Sequence, residues 1–147
     1  MRKDHTLTGN YISELKDYGG EPLIVNIDLM AKLNPFYRTV LWTGENLQVT
    51  LMSIKVGGDI GMEVHRDTDQ FIRVESGLAL VEMGEGPETM NYCAKLNENY
   101  AVIVPAGTWH NIINIGNTPL DLYSVYAPPK HGFGTIDETK EIAMTKE

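Results

Sequence analysis

Apolar and polar residues alternate along most of the chain, in short stretches separated by turn residues. The stretch from Leu47 to Ile54 has this pattern, which places alternate side chains on opposite faces of a strand. Similar short apolar stretches follow it, at 70–75, 78–83, 100–104, 110–114 and 120–126. Turn residues lie between them, as at Ser76-Gly77 and Pro105-Ala106-Gly107. Strands that recur at intervals of about 8–12 residues, with turns between them, predict an all-β sandwich or barrel.

The two ends of the chain have a different pattern. Leu23–Ile27 is a short apolar run that predicts an edge strand, and residues 28–33 predict one helical turn. That turn should end at Asn34, because the residue before a proline is disfavoured in the α region. Residues 137–146 predict a short C-terminal helix with Asp137 near its N-terminus.

These patterns divide the chain into an N-terminal extension (1–35), a barrel (36–127) and a C-terminal tail (128–147). The tail begins with two prolines and contains two glycines, so it is stiff at its start and able to fold back. We predict that it lies over one mouth of the barrel as a lid. His131 in the tail is then a candidate general acid or base. Tyr126 is a second candidate if its hydroxyl faces the cavity rather than the core.

Length and composition are those of one globular domain, with 147 residues of which 42% are hydrophobic and 22% charged. The net charge of −8, from 20 acidic and 12 basic residues, argues against nucleic acid or an anionic membrane as partner. No run approaches the ~20 apolar residues that span a bilayer, and none follows the charged start as in a secretory signal. Because Cys93 is the only cysteine, we expect a cytoplasmic protein.

Two of the four histidines stand where side chains converge in a small barrel. Glu63 and His65 are two residues apart, a spacing that puts both on one face of a strand. Gln70 opens the next strand, and His110 begins another one after a Pro-x-Gly corner. If these strands curl into one barrel, the four side chains offer one carboxylate oxygen, two imidazole nitrogens and one amide oxygen. They are the candidate metal ligands.

The spacing of these residues resembles the first motif of the cupins, G-(x)5-H-x-H-(x)4-E-(x)6-G. Its counterpart runs from Gly57 to Gly77, and every interval fits. Two identities differ, because Glu63 stands in place of the first histidine and Gln70 in place of the glutamate.

The second cupin motif, G-(x)5-P-x-G-(x)2-H-(x)3-N, is matched from Asn99 to Asn114 and loses only its opening glycine. The twenty-one residues between the two motifs form a short intermotif loop of the microbial type. From about residue 36 to residue 126, the chain is therefore similar to small single-domain cupins of the conserved-barrel type. Such proteins are often labelled mannose-6-phosphate isomerase-like.

The resemblance implies a double-stranded β-helix, or jelly-roll, barrel with a divalent metal near one mouth. His65 and His110 match two ligand positions of the family, and Glu63 and Gln70 occupy the other two, with the carboxylate moved to the first position. This donor set suits Fe(II) and also accepts Mn, Ni or Zn. A metal-free polar cavity is the alternative, since many cupin-shaped chains have lost the metal.

The sequence restricts the function less than it restricts the fold, because this fold hosts many functions. The leading hypothesis is a metalloenzyme for a small polar substrate, either a dioxygenase or a sugar or keto-acid isomerase or lyase. The alternative is a cupin that binds or senses a sugar or organic acid without turnover. The resemblance also implies a homodimer joined by edge strands that would otherwise be exposed, with residues 36–38 packed on the neighbouring subunit.

Overall fold

The computed structural model describes residues 14–146, in which nine strands and two helices follow one another. In chain order they are α1 (Ile27–Leu33), β1 (Arg38–Thr43), β2 (Gln48–Ile54), β3 (Asp69–Ser76), β4 (Ala79–Gly84), β5 (Tyr92–Leu96), β6 (Ala101–Val104), β7 (Trp109–Asn114), β8 (Leu120–Ala127), β9 (Ile136–Asp137) and α2 (Lys140–Met144). Over this range, neither helix is long and apolar enough to cross a membrane.

The strands form two antiparallel sheets. One has six strands in the order β6-β3-β8-β2-β1-β9, and the other has three in the order β5-β4-β7. Ile72 and Leu122 of the larger sheet share one buried core with Val81 and Ile112 of the smaller sheet. Each such side chain contributes about 1.5–3 kcal/mol through the hydrophobic effect. The predicted all-β jelly-roll architecture is confirmed, and the two sheets do not close into one ring.

Strand β3 shows how the alternating pattern positions polar groups inside this core. Gln70, Ile72 and Val74 are buried on the inner face, whereas Arg73 is half-buried and points outward. Strand β8 lies antiparallel to β3 and pairs Tyr126 with Gln70. Because the inner face also carries the apolar core, these two polar side chains are surrounded by low-dielectric protein.

The outer face of the larger sheet is covered by α1, whose Met30 packs against Leu41 and Leu51. The edge strand predicted at Leu23–Ile27 is wrong, since residues 23–26 pair with no strand and α1 already begins at Ile27. Asn26 explains the difference, because its side chain accepts a hydrogen bond of 3.0 Å from the backbone N–H of Leu29. This N-cap favours a helix start at the place where the apolar run alone indicates a strand.

The tail returns to the larger sheet. Strand β9 pairs with β1, so that Asp137 lies opposite Arg38 at the edge of the sheet. The predicted C-terminal helix is present as α2 but begins later, because Thr139 is its N-cap and accepts from the N–H of Ile142 at 3.1 Å. Asp137 therefore belongs to a strand and not to the first turn of the helix.

Candidate metal centre

Glu63, His65 and His110 come together at the barrel interior. Glu63 Oε1 lies 3.2 Å from His65 Nε2 and 3.3 Å from His110 Nε2. The donor atoms of the three residues all lie within 4.8 Å of one another. The backbone fixes this arrangement, since the N–H of Glu63 donates to His110 O at 3.0 Å and the N–H of His110 donates to Glu63 O at 2.9 Å. The two-residue spacing and the Pro-x-Gly corner thus bring together three of the four predicted ligands.

The tautomer of His110 is set by a hydrogen bond on the far side of its ring. Its Nδ1 lies 3.1 Å from the carbonyl oxygen of Thr108, which can only accept, so Nδ1 carries the proton. The Nε2 atom then holds a lone pair directed toward Glu63. That atom is buried and has no hydrogen-bond partner among residues 14–146. A metal-binding histidine is commonly oriented in this way, by an N–H bond to a backbone carbonyl.

The spacing of the donors fits a divalent cation. Nitrogen and oxygen ligands at the usual ~2.0–2.2 Å from one ion lie about 3 Å from each other. The two distances from Glu63 Oε1 to the imidazole nitrogens, 3.2 and 3.3 Å, match that separation. Glu63, His65 and His110 therefore fit the metal that the cupin motifs imply.

Gln70, the fourth predicted ligand, is buried beside this group. Its Nε2 donates to Ser124 Oγ at 3.2 Å, while its Oε1 is buried without a partner among the described residues. Gln70 and Glu63 line one cavity of about 10 Å³, room for roughly one water-sized group. The side chain of Glu63 is 23% exposed, so an ion can reach the donors from solvent. Ligation by Gln70 stays a prediction.

Glu63 is held as a carboxylate. Burial acts to raise its pKa, but hydrogen bonds and positive charge from the imidazoles of His110 and His65, in the state in which both are protonated at the nitrogens facing Glu63, outweigh burial and lower the pKa to about 2. An ionised carboxylate between two imidazoles is the state that binds a cation without first losing a proton.

The two candidate catalytic residues lie next to these ligands. The ring of Tyr126 is 5.7 Å from that of His65 and 5.1 Å from that of His131, centroid to centroid. Burial raises the pKa of Tyr126 well above its usual value, so its hydroxyl keeps its proton. Burial and the charge of Arg38 lower the pKa of His131 to about 3, which makes this imidazole neutral. The structure places both side chains by the site, and their catalytic roles stay predictions.

Gln48 holds the tail across the barrel. Its Oε1 accepts from the backbone N–H groups of Lys130 and His131 at 2.9 and 2.8 Å, and its Nε2 donates to His131 O at 2.8 Å. Gln48 is fully buried and shares the inner face of β2 with Thr50 and Met52. Met52 lines the same cavity as Glu63, so this face of β2 is the one that faces the cavity. The predicted role of the tail as a lid over the barrel mouth stays a prediction.

Sequence reasoning missed Arg38 and Asp137. Arg38 is only 5% exposed and lines the same cavity as Glu63, so the expectation that it packs on a neighbouring subunit is wrong. Its Nη1 lies 3.0 Å from Asp137 Oδ2, and Asp137 Oδ1 lies 2.6 Å from Lys146 Nζ. One signal was available, since Arg38 is two residues before the buried Val40 and shares its face of β1.

Acid is expected to release the tail. The pKa of His131 falls from 6.5 to about 3 on docking, so an undocked tail takes up the proton first. Docking is therefore at full strength above pH 6.5 and weakens as the pH falls toward 3. We expect hydrogen-exchange protection of the Lys130 and His131 amides to drop by up to about 30-fold at pH 5, after correction for intrinsic rates. The variant His131→Gln should keep its protection at pH 5, and unchanged protection in the wild-type protein would contradict the prediction.

The chain is similar to known proteins over most of its length. The family model of the cupin domain matches residues 50–126. The uncharacterized protein YrkC of Bacillus subtilis is 53% identical over 133 residues, which are 90% of this chain and 72% of that protein. The uncharacterized protein L612 of Acanthamoeba polyphaga mimivirus is 43% identical over 115 residues, covering 78% of this chain and 70% of that protein.

A solved structure agrees with these sequence matches. The crystal structure of BH2720 from Bacillus halodurans superposes with a TM-score of 0.88 at 53% identity. The match covers 88% of this chain and 98% of that one. The chain belongs to the cupin family.

Proposed function

We propose that this cupin is a metal-dependent enzyme that acts on a small polar molecule, with Fe(II) as its metal and dioxygen as co-substrate. The observation that carries the proposal is the convergence of two imidazoles and one carboxylate, with His110 Nε2 left unprotonated by its bond to Thr108. Two histidines and one carboxylate with further positions open are the donor set of non-haem Fe(II) oxygenases.

The roles of the residues follow from their surroundings. Glu63, His65 and His110 would hold the metal, and Gln70 Oε1 is the candidate fourth donor. When bound, the metal supplies a Lewis acid and, as Fe(II), the electrons for chemistry with dioxygen. His131 is neutral, and its Nε2 is buried with no partner among residues 14–146, so it could accept a hydrogen bond from a substrate placed beside Tyr126.

The second candidate function is that of a cupin that binds a small molecule without turning it over. The observation that favours it is the docked tail, whose residues Lys130 and His131 are held across the barrel by three hydrogen bonds with Gln48. An enzyme needs this clamp to open in every turnover, whereas a protein that holds its ligand without reaction does not.

The deciding experiment measures the metal content of the purified, untagged protein by mass spectrometry, beside the double variant His65→Ala/His110→Ala. We expect near-stoichiometric metal in the wild-type protein and none in the double variant. Glu82→Ala, which removes a carboxylate outside the site, should keep its metal. The iron-loaded protein is then tested for oxygen consumption with panels of small polar compounds.

Each outcome separates the candidates. Metal together with oxygen uptake supports the proposal. Metal without oxygen uptake would move the assignment to sugar or keto-acid isomerase or lyase chemistry. Absence of metal even after anaerobic reconstitution would refute the proposal of a metalloenzyme. The second candidate, a cupin that binds a small molecule without turnover, would then remain.

A further inference from the structure

Arg38 carries an unused hydrogen-bond donor inside the barrel. One nitrogen of the guanidinium, Nη1, donates to Asp137 Oδ2 at 3.0 Å. The Nε atom is buried and has no partner among residues 14–146. A buried charged donor without an acceptor is costly, since it has lost its water and gained nothing in return. A hydrogen-bond acceptor of a bound ligand would therefore be stabilised beside Arg38 Nε.

That place borders the candidate metal centre. Arg38 lines the same small cavity as Glu63, Gln70 and Tyr126. Gln70 Oε1 in that cavity is also without a partner over the described range. Two buried polar groups on different strands, Arg38 Nε on β1 and Gln70 Oε1 on β3, thus indicate a ligand, one as a donor and the other as an acceptor.

The charges around this cavity favour an anion. The charges of Arg38 and Asp137 balance each other, and Lys146 contacts Asp137 from the surface. A divalent metal on Glu63 and two neutral histidines leaves one positive charge uncompensated. An anionic group between the metal and Arg38 would balance that charge in surroundings of low dielectric, where the attraction is strong.

We infer that Arg38 is a specificity-determining residue, whose Nε–H binds the carboxylate group of a small carboxylic acid at the metal centre. This inference rests on the proposed function, because it names the class of substrate for the same site. A carboxylate is favoured over a phosphate by size and shape. The cavity of about 10 Å³ admits one ligand oxygen to Nε–H, and a planar carboxylate can present one oxygen in the plane of the guanidinium, whereas a tetrahedral phosphate is bulkier around that oxygen.

Asp137 is the positioning residue in this arrangement. Its bond to Nη1 fixes one edge of the guanidinium and leaves the Nε edge for the ligand. Since the cavity accepts only one water-sized group, such as a carboxylate oxygen, the rest of a substrate would lie outside it, on the side where Glu63 is 23% exposed. Arginine is suited to this double role, because its planar fork of donors can serve two carboxylates at once.

The test observes the Nε–H group of Arg38 directly by ¹H–¹⁵N NMR, with zinc-loaded and metal-free protein. Acetate is titrated against acetamide, its neutral counterpart, and against inorganic phosphate. We expect acetate to shift the Arg38 Nε–H proton downfield with saturation, and acetamide to bind at least about 10-fold more weakly. The Nε–H of Arg73, whose guanidinium pairs with Glu75 on the outer face, is the internal control and should not move.

A variant completes the test. Arg38→Lys keeps the positive charge for Asp137 but lacks the second donor edge, so it should fold, keep its metal and bind acetate at least about 10-fold more weakly. Arg73→Lys is the matched control and should bind acetate as the wild-type protein does. Folding of both variants is verified from their amide spectra.

The outcomes for Arg38 and for the metal centre are separable. If acetate shifts the Arg38 signal in a protein that binds no metal, the anion site stands and the proposed function fails. If metal binds but acetate leaves the signal unmoved, or acetamide acts equally, or Arg38→Lys binds acetate normally, the inference is overturned and the proposed function stands. A response to phosphate alone also overturns the assignment to carboxylates.

Discussion

Replacing His110 by alanine is expected to lower the affinity for a divalent transition metal by at least about 100-fold, with the barrel still folded. Changes to residues that only support metal ligands commonly cost 10–100-fold, and His110 supplies a ligand atom itself. Its ring is held by one bond to Thr108 and makes no other hydrogen bond within the part of the chain described. Competition with a chromogenic zinc chelator measures the affinity, and circular dichroism with thermal unfolding verifies the fold.

Glu63→Ala is expected to have a similar effect, because it removes the anionic donor of the set. Glu63→Gln should fall between this variant and the wild-type protein, since an amide oxygen can ligate without the negative charge. Glu82→Ala provides the control for a general loss of acidic charge. Stoichiometric, tightly held metal in His110→Ala would show that the ion binds elsewhere, and the proposed centre would have to be abandoned.

The grouping of Glu63, His65 and His110 could be predicted because much of it depends on short-range spacing in the sequence. Glu63 and His65 are two residues apart, and a period of two is a local property of extended chain. The Pro-x-Gly corner before His110 is equally local. Apolar and polar residues alternate strongly in the strands that carry these side chains. Burial of the apolar face of each strand therefore specifies how the strands pair in the barrel. The departure of Glu63 from the family motif did not hide the site, because the spacing kept the donor where a histidine is usual.

The pair of Arg38 and Asp137 could not be predicted in this way. The two residues are 99 positions apart, and only the register of β9 on β1 brings them together. The contact of Gln48 with the tail could not be predicted for the same reason, because it depends on where residues 130–131 cross β2 in the folded chain. A strand of two residues such as β9 carries no periodicity that a sequence pattern can reveal.

The prediction of a strand at Leu23–Ile27 is wrong for a different reason, because two local signals compete there. A short apolar run rich in β-branched residues favours a strand, whereas Asn26 with Asp28 in the next turn favours a helix start. The helix prevails because α1 covers Leu41 and Leu51 on the outer sheet face. The energy of that packing enters only when the sheet is formed, so local pattern cannot supply it.

Replacing Asp137 by alanine is expected to destabilise the protein by about 3–5 kcal/mol. The change leaves Arg38 buried as an uncompensated charge, the situation in which loss of one partner of an internal ion pair is most costly. Lys146 adds little to the cost, because its side chain is 52% exposed and can return to water. Urea-induced unfolding at constant pH measures the free energy, with Asp28→Ala as control for an exposed ion pair that contributes about 0.5 kcal/mol or less.

The double variant Arg38→Met/Asp137→Ala separates the cost of an orphaned charge from the cost of lost packing. If the buried charge is the cause, the double variant should recover most of the stability that Asp137→Ala loses, since Met fills similar space without a charge. Recovery would also mean that the pair is not kept for stability, because an apolar replacement serves the fold nearly as well. A substrate-binding role for Arg38 requires this result, namely that the fold does not need the buried arginine for its stability. A loss under about 1 kcal/mol in Asp137→Ala would instead place the Arg38 charge in contact with water.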